Sequence, residues 1–494
     1  MRSVAAAIGV YAMAGLAILG AAVLPARASA GSPEPGATMS GAPVLGDYAA
    51  PLVGPADANG VRRIDAPATI AKLTAAHINT YAYLIYKSPL YGTGSEALTT
   101  QAQWNDLPGF ADAAAAAGID VLVYLVPPSE SSQAGYKPHG WDYKAWANDV
   151  ATLAVSHPNI RELVVDDFVQ NTVEGGSTRA FRFTPAYVSQ MMAGARAIAP
   201  RLKFRPIMYY PDYVGLGAVL PAYRPYLDGV IFPYRAGSPG HWNTTDASDA
   251  TRQAKVISAM AKCHGGARCV HIEYPKNTPS TGGYYGQVSQ RISVSDASTR
   301  TLSFYETDDY NGTTSGYHYL QALLDGHVVW QADAAASSDG LWHHISVNVT
   351  SALAGKTSAT LALRVWDAHG VSNFHVTGFF DDVSGSGFTV ADGGFENSTF
   401  APWTASTNTG MFTVAHVPTL SCYFMTYATR FSYETKPTTT TYVGGVLSQA
   451  LGLMPSGTID GSIVYDLNLT GQADGRSDPA TYDTVRQLYG AFGT

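Results

Sequence analysis

The sequence predicts an α/β protein, a (β/α)8 barrel of the TIM type interrupted by an all-β sandwich, and three observations predict it. From Gly46 to about Cys263, short apolar runs alternate with longer helix-like stretches, the signature of βα units around a parallel sheet. Residues 268–417 have a different grammar: period-two runs divided by Gly, Asp, Ser and Asn turns, with almost no helical period. After them, 418–494 return to the first pattern.

The elements follow in order. Strands are expected at Leu45 to Val53, Thr80 to Tyr86, Asp120 to Val126, Glu162 to Phe168, Phe204 to Tyr210 and Gly229 to Tyr234. Helices are expected around Ala66 to Ala76, Gln103 to Ala117, Tyr143 to Val155, Pro185 to Ala199 and Ala247 to Ala261. Thr184 before Pro185 is a capping residue ahead of a proline at the first helical position. That makes six strands where a closed barrel of this type needs about eight. Tyr423 to Tyr427 and Gly461 to Tyr465 supply the missing two, with helices at Tyr442 to Leu453 and Pro479 to Phe492. An echo supports the join: Asp228-Gly229 and Asp460-Gly461 each turn into an apolar strand that ends in Tyr. The sandwich (268–417) then splits the barrel into 45–267 and 418–494, with runs such as Gln290 to Val294 and Leu361 to Val365 as its strands. The alternative makes Val270 to Tyr274 a barrel strand and moves the insertion to the catalytic side.

The chain opens with an address. Arg2, an apolar run from Val4 to Leu24 and Ala28-Ser29-Ala30 read as a signal peptide over 1–30, with a flexible linker over 31–44. A retained anchor is the alternative, and Pro25 with the small-residue site favours cleavage. The protein is therefore expected to be secreted, free of the membrane once cleaved, with Cys263 and Cys269 bridged and Cys422 left over. A formal charge of −8 repels a phosphate backbone, so nucleic acid is not an expected partner.

In such a barrel, active groups collect at the C-terminal ends of the strands. The fourth strand ends in Asp166-Asp167, and strand alternation lets one of the two point into the mouth. Glu130 and Asp466 stand at other strand ends, and with Asp166 and Asp167 they are the candidate catalytic carboxylates. Candidate substrate-binding residues are Asp47, Tyr86, Tyr124, Tyr209, Asp212, Tyr234, Arg235, Tyr427, Arg430 and Tyr465. No His cluster with metal spacing, nucleophile-elbow serine or phosphate-binding glycine loop occurs in the sequence. Paired carboxylates between aromatic walls suit glycosidic bond cleavage, in which one protonates the leaving oxygen while the other attacks or activates water. The expected partner is a polysaccharide or oligosaccharide, and this chemistry requires no cofactor. The rival is a non-catalytic glycan-binding or cell-wall protein on the same scaffold.

At Val164 to Phe168 and Tyr465-Asp466 the chain resembles secreted actinobacterial glycoside hydrolases that join a TIM barrel to an accessory jelly-roll module. It lacks the chitinase-type Asp-x-x-Asp-x-Asp-x-Glu, since Phe168 is followed by Val169-Gln170-Asn171. Tyr284 to Gln290, Phe380 to Val383 and Gly393 to Glu396, with Trp403 beyond, are similar to phrases of carbohydrate-binding modules. The resemblance implies glycan binding through exposed aromatics and a structural calcium, for which Asp381 and Asp382 are the candidate ligands, or else turn residues. Core filling is expected of Trp330, Trp342 and Trp366.

Overall fold

The computed structural model describes residues 43–48, 51–86, 96–173, 177–210, 222–236, 243–274, 280–310, 314–337, 339–370, 376–430 and 434–493. The expected signal peptide and most of the linker lie outside them. Among the described residues no helix is long and apolar enough to cross a membrane.

Eight parallel strands form one sheet: β1 (Val44–Tyr48), β2 (Thr80–Ile85), β3 (Asp120–Leu125), β4 (Ile160–Val165), β5 (Lys203–Phe204), β6 (Gly229–Tyr234), β7 (Ser421–Tyr427) and β8 (Gly461–Tyr465). Their order is β5-β4-β3-β2-β1-β8-β7-β6. The two edges meet beyond β5, where Ile207 bridges Ile231 in parallel and Met208 N–H donates to the Ile231 carbonyl at 3.0 Å. The result is a nearly closed eight-strand barrel. Helices α1 (Ala66–Ala75), α2 (Glu96–Ala116), α3 (Tyr143–Ser156), α4 (Pro185–Ile198), α5 (Ala250–Ala261), α6 (Thr440–Leu453) and α7 (Thr481–Phe492) alternate with them. The capping expectation holds at α4, where the Thr184 hydroxyl accepts from Tyr187 N–H at 3.1 Å.

Boundaries moved at several elements. The first strand stops at Tyr48, and Val53 instead forms a lone antiparallel bridge with Ile64. The regular part of β5 is two residues long because Pro206 cannot donate to the ladder. Helix α2 starts at Glu96, ahead of the expected Gln103, and carries Pro108 inside it.

The Asp-Gly echo has a physical reason beyond a turn. Asp228 Oδ2 accepts Phe204 N–H at 2.8 Å and pairs with Arg196; Asp460 Oδ2 accepts Cys422 N–H at 2.7 Å and pairs with Lys262. Each aspartate thus pins the start of the strand beside its own. The glycines are required for space, because a Cβ at Gly229 would lie 1.7 Å from Arg205 Nη1 and one at Gly461 2.7 Å from Val44 Cβ.

Between α5 and β7 the chain makes two antiparallel sheets. One joins Arg268–Tyr274 to Thr413–Pro418 and Val376–Ser386, and through the latter to Thr301–Asp308 and His343–Asn348. The other is built on Tyr284–Val294, Ser358–Asp367, His318–Leu324 and His327–Asp333, with the short Phe388–Thr389 and Thr404–Thr407 on its far edge. Val270 to Tyr274 therefore pairs inside the insertion and not in the barrel. Arg268 lies opposite Pro418, so the insertion leaves and re-enters as a two-strand stem. Cys263 and Cys269 form a disulfide beside that stem, and Cys422 is buried and free.

The barrel's lower interior is closed by an ion pair. Arg205 Nε and Nη2 meet the Glu162 carboxylate at 2.7 and 3.0 Å, Arg205 Nη1 donates to Ser421 Oγ at 2.6 Å, and the guanidinium lies 3.7 Å from the Tyr423 ring centre. Burial alone would raise the Glu162 pKa, but the charge and hydrogen bonds of Arg205 hold it below the usual range. Glu162→Ala strands the Arg205 charge in the interior, and urea denaturation should show a loss of about 3–5 kcal/mol. An unchanged midpoint would refute this role.

Candidate functional site

At the C-terminal ends of the strands lies a cavity of about 320 Å³. Its walls are aromatic. Tyr48 pairs with Tyr465 and Tyr465 with Tyr427 in direct register across β1, β8 and β7. Ring centres are 4.2 Å apart for Tyr48–Tyr124, 4.9 Å for Tyr48–Tyr465 and 4.8 Å for Tyr427–Tyr465, all tilted, as aromatic pairs prefer. Hydroxyl bonds link Tyr48 to Tyr124 and Tyr427 to Tyr209. The five tyrosines form an arc from β3 round to the residues following β5.

Each end of the arc lands on an aspartate: Tyr124 is hydrogen-bonded to Asp166, and Tyr209 to Asp167. Both aspartates line the cavity, contrary to the expectation that alternation admits one. The chain leaves β4 by a left-handed residue, Asp167 at φ +41°, and Asp166 Oδ1 accepts the Asp167 N–H at 2.8 Å. That conformation is costly for a residue other than glycine and swings the second carboxylate to the same side.

Glu130 completes the acidic group. Its carboxyl is hydrogen-bonded to Asp167. The residue reaches solvent at the rim, yet its carboxyl is crowded by the cavity walls. That desolvation, followed by the charge and hydrogen bond of Asp167, pushes it up to about 7. Asp166 is raised well above the carboxylate range by burial and by the charges of Asp167 and Glu130. Asp167 is raised by burial, and the Tyr209 and Glu130 hydrogen bonds and the Arg235 charge oppose the rise. The mouth thus holds three crowded carboxyls, and of the hydrogen-bonded pair Glu130 and Asp167 it is Glu130, at the open side, that holds the proton.

Tyr86 and Arg235 also line the cavity. Four candidates do not. Asp47 is fully buried on the face of β1 opposite Tyr48, accepting Leu467 N–H at 3.2 Å. Tyr234 points outward, its hydroxyl accepting Asp249 N–H at 3.3 Å ahead of α5. Asp466 is held by Arg476 at 3.0 Å and by Thr429, with φ +55°. Arg430 donates to the carbonyls of Gly475 and Glu434 at 2.8 and 2.6 Å. Asp212 lies outside the described residues. Tyr48 and Gln170 line the cavity without having been singled out as ligands. Tyr48 carries the same strand-end signal as Tyr465, while nothing in the sequence marks Gln170.

On the insertion, both oxygens of Asp381 already accept backbone N–H groups, from Gly265 and Asp382, at 3.0 and 2.8 Å. Asp382 Oδ2 and His264 Nδ1 are 2.7 Å apart. These contacts close a turn, and each Asp381 oxygen keeps a second lone pair beyond its N–H bond. Among the described residues, the one grouping within metal-binding reach is Cys263, Cys269 and Asp381, and its two sulfurs are spent in the disulfide.

No family model and no curated protein matches the chain. Solved structures similar to it include a GH53 catalytic domain from Ignisphaera aggregans (15% identity, 39% of this chain and 59% of that one, TM-score 0.27). Others are a GH113 β-1,4-mannanase (12%, 44% and 67%, TM-score 0.27) and a family 18 N-acetylglucosaminidase from Paenibacillus barengoltzii (9%, 90% and 100%, TM-score 0.31). The chain spans just under three-fifths of the GH53 domain's length. Likenesses this distant say nothing about chemistry, which the site's own side chains must carry.

Carboxyl-resolved NMR titration should place the Glu130 midpoint near 7 in the parent and lower in Asp167→Asn, which removes the second cause of the shift. The same midpoint in both would show that Asp167 has no hold on it. The sign for stability follows: a raised folded pKa favours folding below the unfolded value of about 4.5, and that contribution disappears as pH rises through about 7.

Proposed function

We propose that the protein is an exported glycoside hydrolase of the TIM-barrel type, acting on a polysaccharide or oligosaccharide at the C-terminal mouth of the barrel, with the sandwich as a jelly-roll-like accessory module. One observation carries the reading: a carboxyl that stays protonated to about 7 stands beside two aspartates in an aromatic-walled cavity. Glycoside cleavage needs a protonated carboxyl for the leaving oxygen and a second carboxylate for the anomeric centre or its water. Glu130 serves as the acid. A protonated Glu130 removes one of the charges that raise Asp166, and the Tyr124 hydrogen bond favours its ionised form; Asp166 then faces the sugar as nucleophile or base, while Asp167 divides its interactions between Tyr209 and Glu130 to hold the proton on Glu130. The tyrosine arc offers flat apolar faces to sugar rings and hydroxyls to their edges.

Two outcomes test the reading. Release of reducing ends from a polysaccharide panel should fall at least ~100-fold in Glu130→Gln and in Asp166→Asn, the scale of a lost acid–base group. Equal rates in both variants and the parent would end the proposal. In the parent, kcat/KM should fall as pH rises through about 7, where Glu130 gives up its proton, and that limb should vanish in Glu130→Gln. Activity that rises across that range would remove Glu130 from the acid role.

A further inference from the structure

The two loops that carry Glu130 and Asp167 are tied to each other by one side chain. Asn171 ends the short 3-10 turn after β4, Val169–Asn171, and is fully buried. Its backbone is already engaged, the N–H donating to the Phe168 carbonyl at 3.0 Å and the carbonyl accepting Phe183 N–H at 2.9 Å. Its side-chain amide reaches further. Nδ2 donates to the Asp167 carbonyl and to Ser129 Oγ, both at 2.9 Å, and Oδ1 accepts Ser129 N–H at 3.2 Å. A carbonyl can only accept and a backbone N–H can only donate, so these partners fix which end of the amide is which.

Each grip falls next to an acid. Ser129 immediately precedes Glu130, in a turn that the Glu130 N–H closes by donating to the Pro127 carbonyl at 3.0 Å. Arg179 holds the same turn by donating to the carbonyls of Pro128 and Ser129 at 3.2 and 3.5 Å. At the other end, the peptide groups on both sides of the Asp167 Cα are tied down: its N–H donates to Asp166 Oδ1, and its carbonyl accepts from Asn171. A left-handed conformation at a residue other than glycine persists only where its surroundings determine it, and these two bonds do so.

We propose that Asn171 is a positioning residue of the mouth: its buried amide binds the Glu130 turn to the Asp167 turn and so fixes how closely the two carboxyls approach. Its neighbour Gln170 lines the cavity, whereas Asn171 stands behind the wall, so its effect on the chemistry passes through the two acids. Glu130 is raised first by the cavity walls that desolvate it and then by Asp167, and both causes depend on the carboxyl staying where it is. Released from Asn171, the turn lets Glu130 swing to the open side, where water solvates its charged form. The other titratable groups that interact with Glu130 are Asp166 from the end of β4, Tyr48 and Tyr465 from β1 and β8, Tyr136 from its own loop and Tyr143 from α3. Asn171 is uncharged, so its removal acts on Glu130 through geometry and not by taking away a charge. The part it plays in catalysis rests on the acid role proposed for Glu130; its hold on the two loops does not.

The test uses the full chain and reads the Glu130 midpoint by carboxyl-resolved NMR titration, without substrate. Asn171→Ala should bring the midpoint down by at least ~1 pH unit, a tenfold gain in Glu130 acidity. Ser129→Ala, which removes one of the three bonds, should move it the same way by less, and Ser129→Thr, which keeps the hydroxyl, should hold the parent's value. Where the parent hydrolyses a glycan, the fall of kcat/KM with rising pH should shift down by the same interval in Asn171→Ala. A merely structural asparagine would lower the melting temperature and leave the Glu130 midpoint in place. That result overturns the proposal, and should Asn171→Ala not fold, an unaltered midpoint in Ser129→Ala does so. A shifted midpoint in a protein that cleaves no glycan would keep the positioning role and discard the hydrolase reading, and an unshifted one in an active protein would do the reverse.

Discussion

The whole arrangement depends on bringing β7 beside β6 although about 190 residues separate their first positions. Closing so long a loop as flexible chain would cost entropy that grows with its length. The insertion removes most of that cost by folding with its two ends in register, Arg268 against Pro418, so the barrel meets it as a stem and not as a long loop. Arg224 fastens the stem to the barrel, donating to the carbonyls of Pro418, Met260 and Ala261. Arg205 and Ser421 then lock the β6–β7 seam at the one place where Gly229 leaves room for a guanidinium.

With the seam closed, the strand ends fall into layers and the mouth inherits their geometry. The arc of tyrosines is the uppermost layer: three rings in register on β1, β8 and β7, extended by Tyr124 and Tyr209. Its two hydroxyl ends meet Asp166 and Asp167, so ring packing on one side of the barrel sets carboxylate position on the other. The left-handed turn at Asp167 is the strained element that admits both acids.

Much of this was legible and some was not, for one recurrent reason. The βα alternation, the capping pair Thr184-Pro185 and the Asp-Gly echo are local patterns, and local patterns survive into the fold. The strand-end rule identified the right dipeptides: Asp47-Tyr48, Tyr234-Arg235 and Tyr465-Asp466 all lie at strand ends. Which member faces inward is a matter of phase, and phase is fixed by register with neighbouring strands. Tyr48, Arg235 and Tyr465 face the cavity while their partners pack outward or bind Arg476. At Asp166-Asp167 alternation itself breaks down, because the chain has already left the extended conformation. Trp366 was misjudged for the same reason, since its strand's inward set is Ala359, Leu361, Leu363 and Val365.

The stem has a mechanical meaning as well. A pull on the insertion would reach the barrel through two adjacent chain crossings at its N-terminal face. The load enters near the Arg205–Glu162 plug, and the strands, roughly 15–20 Å long, separate it from the carboxyls. A load on the sandwich therefore enters the barrel at the end opposite the tyrosine arc.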